Sequence, residues 1–178
     1  MREPMNKIRI TRMTVDHLPA IVEIEKAVFP DPWSYESFVE AISLSEKCWI
    51  AQKGPTVIGY LITQWVMDEI HILNVAVSPD RQRQGVGAAL LEYLLDIARQ
   101  SGMRDVYLEV RMSNQAAQAL YTKYAFAQLA VRKRYYRDGE DARVMHRSLI
   151  SLSPSEESED TGCNDLGMAR QSYGARMV

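Results

Sequence analysis

Gln82-Arg83-Gln84-Gly85-Val86-Gly87 stands between an apolar, strand-like run ending at Val77 and a helix-like run beginning at Ala88. Glycines at the mouth of a helix leave backbone N–H groups without intrahelical acceptors, and the helix dipole adds positive potential there. The hexapeptide therefore reads as an anion cradle. Two nucleotide motifs fail on residues. A Walker loop would close with Gly-Lys-Ser or Gly-Lys-Thr, but Gly87 is followed by Ala88 and Ala89. A dinucleotide fingerprint needs a further glycine where Leu90 stands. From the loop alone, a tight strand-to-helix turn with no ligand stays open.

Outward from the loop, Ile70 to Val77 is apolar on both faces apart from His71 and Asn74, as a central strand should be. Leu90, Leu91, Leu94, Leu95 and Ala98 fall on one helical stripe that stops near Gly102. Upstream, a short strand around Ile8 and Ile10 precedes a helix carrying Leu18, Ile21, Val22 and Val28, with Asp16 as its expected cap and Pro30 and Pro32 beyond its end. Ser34 is placed to cap a second helix with Tyr35, Phe38 and Ile42, and strands fit Trp49 to Lys53 and Val57 to Trp65 around a Gly54-Pro55 turn. Downstream come a strand at Val106 to Val110, a helix capped by Ser113 or Asn114 and running through Tyr124, and two strands flanking an Asp138-Gly139 turn. The order β-α-α-β-β-β-α-β-α-β-β predicts an α/β (α+β) domain, a mixed sheet with helices on both faces.

The chain has 178 residues, one domain's worth, and a formal charge of -2, so no global field favours nucleic acid. Cys48 and Cys163 are too few for a disulfide framework, which fits a reducing compartment. His17, His71 and His146 lie in different elements without clustered partners, so no metal site is expected. The charged N-terminus lacks a signal-peptide core and no apolar run reaches membrane-spanning length, so the expected location is the cytoplasm, with no membrane partner. Composition shifts after Ile150 to a serine-rich, acidic stretch. Residues 1–150 are expected to form the domain and 151–178 a disordered tail. Oligomeric state is not legible.

Several separated motifs now stand in order: Phe29-Pro30-Asp31-Pro32-Trp33-Ser34, Asn74-Val75-Ala76-Val77-Ser78-Pro79, the glycine loop, Leu108-Glu109-Val110-Arg111, Ser113-Asn114 and Ala119-Leu120-Tyr121. Through them the chain resembles GNAT-type acetyltransferases, and most closely the RimI-like enzymes that acetylate protein N-termini, over nearly all of residues 7–150. The resemblance implies a GNAT fold, a mostly antiparallel sheet splayed at the cofactor site. It implies that the N–H groups of Arg83, Gln84, Gly85, Val86, Gly87 and Ala88 hold the pyrophosphate of acetyl-CoA, with Gln82 opening the motif. Glycines 85 and 87 suit the close approach of phosphate oxygens. The backbone of Val75, Ala76 and Val77 would pair with the pantetheine arm, and Asn114, otherwise an ordinary helix cap, would touch the cofactor.

Alternation puts Glu109 on a strand face with Tyr107 and Arg111, opposite Val106, Leu108 and Val110. By its residues alone it reads equally as a salt-bridge partner of Arg111 or a neighbour; the resemblance matches it to a general base. Tyr121 reads as a core aromatic, and the resemblance matches it to the acid facing the departing thiolate. An α-amine has a pKa of about 7.7 to 8.0 and lysine about 10.4, so the α-amine is the easier acceptor at neutral pH. An unperturbed glutamate near about 4.3 is mismatched by roughly 5 kcal/mol, which calls for burial or a water relay. Arg132, Lys133, Arg134 and Arg137 surround Tyr135-Tyr136, and the reading is either an acceptor-peptide wall using Arg134, Tyr135 and Tyr136 or a solvated hairpin. Two departures stand out. Ala125 occupies a usual glycine position, and the tail exceeds the common length.

The expected function is acetyl transfer from acetyl-CoA to a protein's N-terminal amine, the resemblance pointing to the N-terminal alanine of a small-subunit ribosomal protein. Acetylation of a small amine or a lysine side chain is the alternative among enzymes. A non-catalytic acyl-CoA-binding or ribosome-associated module is the alternative of another class, and it would need the glycine loop without the base and acid.

Overall fold

The computed structural model describes residues 7–44 and 47–150; the expected disordered tail at 151–178 lies outside the described residues. Among the described residues seven strands form one sheet in the order β1-β2-β3-β4-β5-β7-β6. They are β1 (Ile8–Arg12), β2 (Lys47–Lys53), β3 (Thr56–Val66), β4 (Glu69–Val77), β5 (Asp105–Arg111), β6 (Ala127–Arg132) and β7 (Ala142–Ser148). All neighbours are antiparallel except β4 and β5. Helix α3 (Val86–Gln100) makes the crossover between these two, as a parallel pair requires. The remaining helices are α1 (Leu18–Val28), α2 (Tyr35–Ser43) and α4 (Gln115–Lys123).

Each sheet face carries its own core. On one, Leu90, Leu91, Leu94, Leu95 and Ala98 of α3 pack with Ala117 and Tyr121 of α4 on Ile70, Ile72, Val106, Leu108 and Val110. On the other, Leu18, Ile21 and Ile24 of α1 and Phe38 of α2 cover Ile50, Tyr60, Ile62 and Ala76. The helical and two-residue periods read from the sequence are thus the buried faces. Truncating one fully buried leucine, such as Leu94→Ala, would cost about 2–5 kcal/mol.

Ser34 caps α2 through Ser37 N–H at 3.2 Å, and of the two candidates for α4 it is Asn114 that caps, through Ala117 N–H at 3.0 Å. Asp16 does not cap α1. It lies within a 3-10 turn, Val15–His17, whose corner is closed by Thr14 N–H donating to His17 Nδ1 at 3.0 Å, and the helix starts behind it at Leu18 with Pro19 in its first turn. The connection between β6 and β7 is longer than a two-residue hairpin. Residues 133–141 separate the strands, with a tight turn closed by Gly139 N–H to Tyr136 O at 2.8 Å.

Candidate active site

The parallel pair carries the opening. Strands β4 and β5 are registered from Glu69↔Asp105 to Ile72↔Leu108 and then part, while β3 goes on holding the other edge of β4 through Leu61↔Val75, Tyr60↔Ala76 and Gly59↔Val77. Leu73 to Val77 and Glu109 to Arg111 therefore face a gap in the sheet. Gly59 makes the close packing behind this gap possible. A Cβ there would stand 2.8 Å from the Ala76 carbonyl oxygen and 3.2 Å from Val86 Cγ1.

The glycine loop begins where β4 ends. Arg83 and Gly85 both have left-handed backbones, φ +58° and +83°, on either side of Gln84, which turns the loop into the mouth of α3. A Cβ on Gly85 would meet nothing within 4 Å, so the protein itself needs glycine there for its φ. Gln82 Nε2 donates to Val77 O at 3.3 Å and Gln84 Nε2 to Asp80 O at 2.8 Å, so both glutamine amides brace the loop. Val86, Gly87 and Ala88 form the first turn of α3, where N–H groups have no acceptor within the helix. This built cradle suits a diphosphate.

On the far side of the gap, Glu109 shares its face with Tyr107 and Arg111 while Val106, Leu108 and Val110 are buried behind. Its carboxylate lies 3.1 Å from Arg132 Nη1 of β6, so the ion-pair partner is Arg132 and not the neighbouring Arg111. Arg111 instead reaches Asp138 at 2.7 Å and Glu140 at 2.6 Å and stacks 4.0 Å over the Tyr136 ring. Burial opposes the charge of Arg111, but the bonds to Glu140 and Asp138 outweigh it and raise its pKa. Glu140 also accepts from Ser113 N–H at 2.8 Å, tying the 133–141 connection to the start of α4. Tyr135 and Tyr136 meet edge to face, 5.2 Å between centroids, and Arg132 lies 5.4 Å from the Tyr135 ring. Arg134 is exposed, with φ +50° and its N–H on Asp141.

Tyr121 is held by the end of its own helix. Phe126 N–H donates to Tyr121 O and Ala125 N–H to Thr122 O, both at 3.0 Å, and the Tyr121 and Phe126 rings pack 5.6 Å apart. Those two bonds and that contact make a Schellman motif with Ala125 at its left-handed position, φ +59°. The unusual alanine thus takes the conformation a glycine would. Tyr121 is buried, and burial pushes its phenol far above the ordinary tyrosine range, with Tyr136 adding to the shift. The phenol is therefore neutral at ordinary pH and has a proton to donate in a hydrogen bond.

A model of the acetyltransferase (GNAT) family matches residues 18–126. The chain belongs to that family. As a GNAT protein it is an acyltransferase whose donor is acetyl-CoA, and the cradle and the splayed strands fit that group. The [ribosomal protein bS18]-alanine N-acetyltransferase of Escherichia coli K12 is 39% identical over 139 residues, covering 76% of this chain and 94% of the relative. An N-alpha-acetyltransferase of Saccharolobus solfataricus is 32% identical over 156 residues, covering 80% and 92%. The crystal structure of the ribosomal-protein-S18-alanine N-acetyltransferase from Escherichia coli matches with a TM-score of 0.77 and 35% identity over 84% of this chain and 99% of that one. Among the described residues of this GNAT domain no helix is long and apolar enough to cross a membrane, and no group of three or more His, Cys, Asp or Glu could hold a metal.

Sequence reasoning missed how the site is framed. Arg132 is legible in the sequence as a basic residue but not as the partner of Glu109, and Arg111, two residues from Glu109 on the same strand face, clamps the 133–141 connection. Glu25 of α1, which no motif marks, is fully buried. Its signal was available, because Ile21, Glu25 and Val28 share one helical stripe and an acid on an apolar stripe needs a partner.

Proposed function

We propose that this GNAT protein acetylates the N-terminal amine of a protein, with the N-terminal alanine of ribosomal protein bS18 as its acceptor in the cytoplasm, and that residues 1–150 are the catalytic domain. The carrying observation is the juxtaposition of an anion cradle, a gap between β4 and β5, and Glu109 on the rim of that gap. Acetyl-CoA supplies an activated thioester. The N–H groups from Arg83 to Ala88 hold its pyrophosphate and the backbone of Val75 to Val77 its pantetheine arm, an arrangement that also lets an N–H polarise the carbonyl, worth about 3–4 kcal/mol in other acyl transfers. Asn114 contacts the cofactor from the α4 cap. Glu109 takes the proton of the attacking amine, directly or through water, and Tyr121 donates a hydrogen bond to the departing sulfur. Full proton transfer from an ordinary phenol to a thiolate is already uphill by roughly 2 kcal/mol, and burial of Tyr121 increases that cost, so its role is donation. Arg134, Tyr135 and Tyr136 wall the acceptor side.

Intact-mass analysis of peptides with free and blocked N-termini tests the acceptor, with acetylation of the free α-amine expected. Equal rates on blocked, lysine-containing peptides would sink the N-terminal reading. Glu109→Gln and Tyr121→Phe should each lose about 100-fold or more in turnover while still binding coenzyme A. Unchanged turnover in both would remove them from the chemistry.

A further inference from the structure

The buried carboxylate of Glu25 has no part in the chemistry above, yet it joins three separate pieces of the chain. Its Oε1 accepts from Trp33 N–H at 2.8 Å, in the connection between α1 and α2. Its Oε2 accepts from the Tyr60 hydroxyl of β3. The Asn74 side-chain amide of β4 lies 3.4 and 3.3 Å from the two oxygens. Asn74 belongs to the part of β4 that has already left β5, immediately before Val75. Two residues before Trp33 in the same connection, Asp31 reaches Arg137 of the 133–141 connection at 3.3 Å. Residues 29–34 therefore bridge from the splayed strand to the tyrosine-bearing loop.

A carboxylate suits this junction for a chemical reason. It offers two acceptor oxygens and no donor, matching donors from three elements, whereas a glutamine offers one oxygen and would turn an N–H2 toward other donors. A buried carboxyl group held by several donors fixes a geometry more than it adds stability. The rings follow the same frame. Trp33 packs on Phe38 at 5.4 Å and Phe38 on Tyr60 at 5.6 Å.

We propose that Glu25 is a positioning residue for acetyl transfer: its carboxylate locks residues 29–34 to the splayed half of β4 and so sets the wall of the acceptor-amine site that meets the Tyr135–Tyr136 wall. The proposal rests on the acceptor reading given above. Its test uses the full chain, labelled with 5-fluorotryptophan, with Glu25→Gln and Tyr60→Phe compared on whichever amine the parent acetylates. Failure of the parent on N-terminal peptides therefore counts against the acceptor reading and leaves this comparison readable. Glu25→Gln should raise acceptor KM by about tenfold, with acetyl-CoA KM within about twofold and kcat within about threefold. The Trp33 fluorine resonance should move while those of Trp49 and Trp65 stay. Tyr60→Phe should act in the same direction more weakly, and it decides alone should Glu25→Gln not fold. An unchanged acceptor KM, a rise in acetyl-CoA KM of the same size, or movement of all three resonances together would overturn the proposal, because each describes either no coupling or a general loosening.

Discussion

Alanine at position 59 adds one methyl group at a place where β3, β4 and α3 meet. An ideal Cβ there lies 2.8 Å from the Ala76 carbonyl oxygen, 3.2 Å from Val86 Cγ1 and 3.5 Å from Leu90 Cδ1. The leucine contact is ordinary and the valine methyl is stiff, but a backbone oxygen cannot be turned aside by a rotamer change. Overpacking typically costs about 1–3 kcal/mol, and a backbone clash puts Gly59→Ala in the upper half of that range. At roughly 2–4 °C per kcal/mol for a domain of this size, Tm should fall by about 4–12 °C. The displaced atoms are not anonymous. Ala76 belongs to the splayed strand and Val86 to the first turn behind the glycine loop, so the strain falls on the cradle and should weaken coenzyme A binding by about 3–10-fold, or roughly 0.7–1.4 kcal/mol.

Thermal melts and calorimetric titration with coenzyme A measure the two effects separately. Gly54→Ala is the control: its Cβ would have open space, but φ is +60°, so it should lose about 1–2 kcal/mol from backbone strain and bind coenzyme A as the parent does. A Gly59→Ala variant with lowered Tm and unaltered affinity would refute the link between that packing and the cradle. A variant with unaltered Tm would refute the steric reasoning itself.

Ala125→Gly relieves a left-handed alanine, worth about 1–2 kcal/mol, against a more flexible unfolded chain costing about 0.5–1 kcal/mol, so the variant should melt higher, by up to about 6 °C. A lower Tm would mean that the turn after α4 is not strained. Arg111→Met should lower Tm at pH 7 by on the order of 3 °C. Asp138 is held below the usual carboxylate range, first by the Glu140 backbone N–H and then by Arg111, and Glu140 is likewise lowered, its bonds to Ser113 and Arg111 overcoming its burial. With both pKa values depressed on folding, their stabilisation is complete above about pH 4.3 and is lost as pH falls through the lowered values, so the gap between parent and variant should close in acid. A gap constant down to pH values of about 2.5 would contradict that account. Arg132→Gln should narrow the preference for α-amines over lysine side chains in a competition assay read by mass, and an unchanged ratio would remove Arg132 from acceptor choice.

Local rules made much of the fold readable. The α3 stripe, the alternation of β5 and the serine cap of α2 are decided by residues a few positions apart, and all three are as the sequence predicts. The first corner departs from the sequence expectation because Asp16 is a good cap by type, while Thr14 and His17 close the turn between themselves. Ala125 departs from the usual glycine in identity but not in conformation, because the Schellman bonds impose the left-handed backbone on alanine all the same. The Glu109–Arg132 pair lay beyond reach for a different reason. It depends on β7 lying between β5 and β6 and on a register shift between Gln128 and Ala130, neither of which a single strand reveals.

That pair bears on which amine the site prefers. A guanidinium 3.1 Å from the carboxylate places positive charge beside the group that would receive the acceptor's proton. A protonated amine arriving there gains from Glu109 and is repelled by Arg132, so the net attraction for an ammonium ion is small, whereas a neutral amine meets no such opposition. Near pH 7.4 about a quarter to a third of an α-amine of pKa about 7.8 is neutral, against on the order of 0.1% of a lysine side chain. A site that takes up the free base is therefore offered α-amine at several hundred times the level of lysine, without any contact to the residue that follows. In the proposed mechanism Arg132 would then do two things at once: hold the Glu109 carboxylate against β6, and keep the site from filling with the protonated acceptors that cannot react.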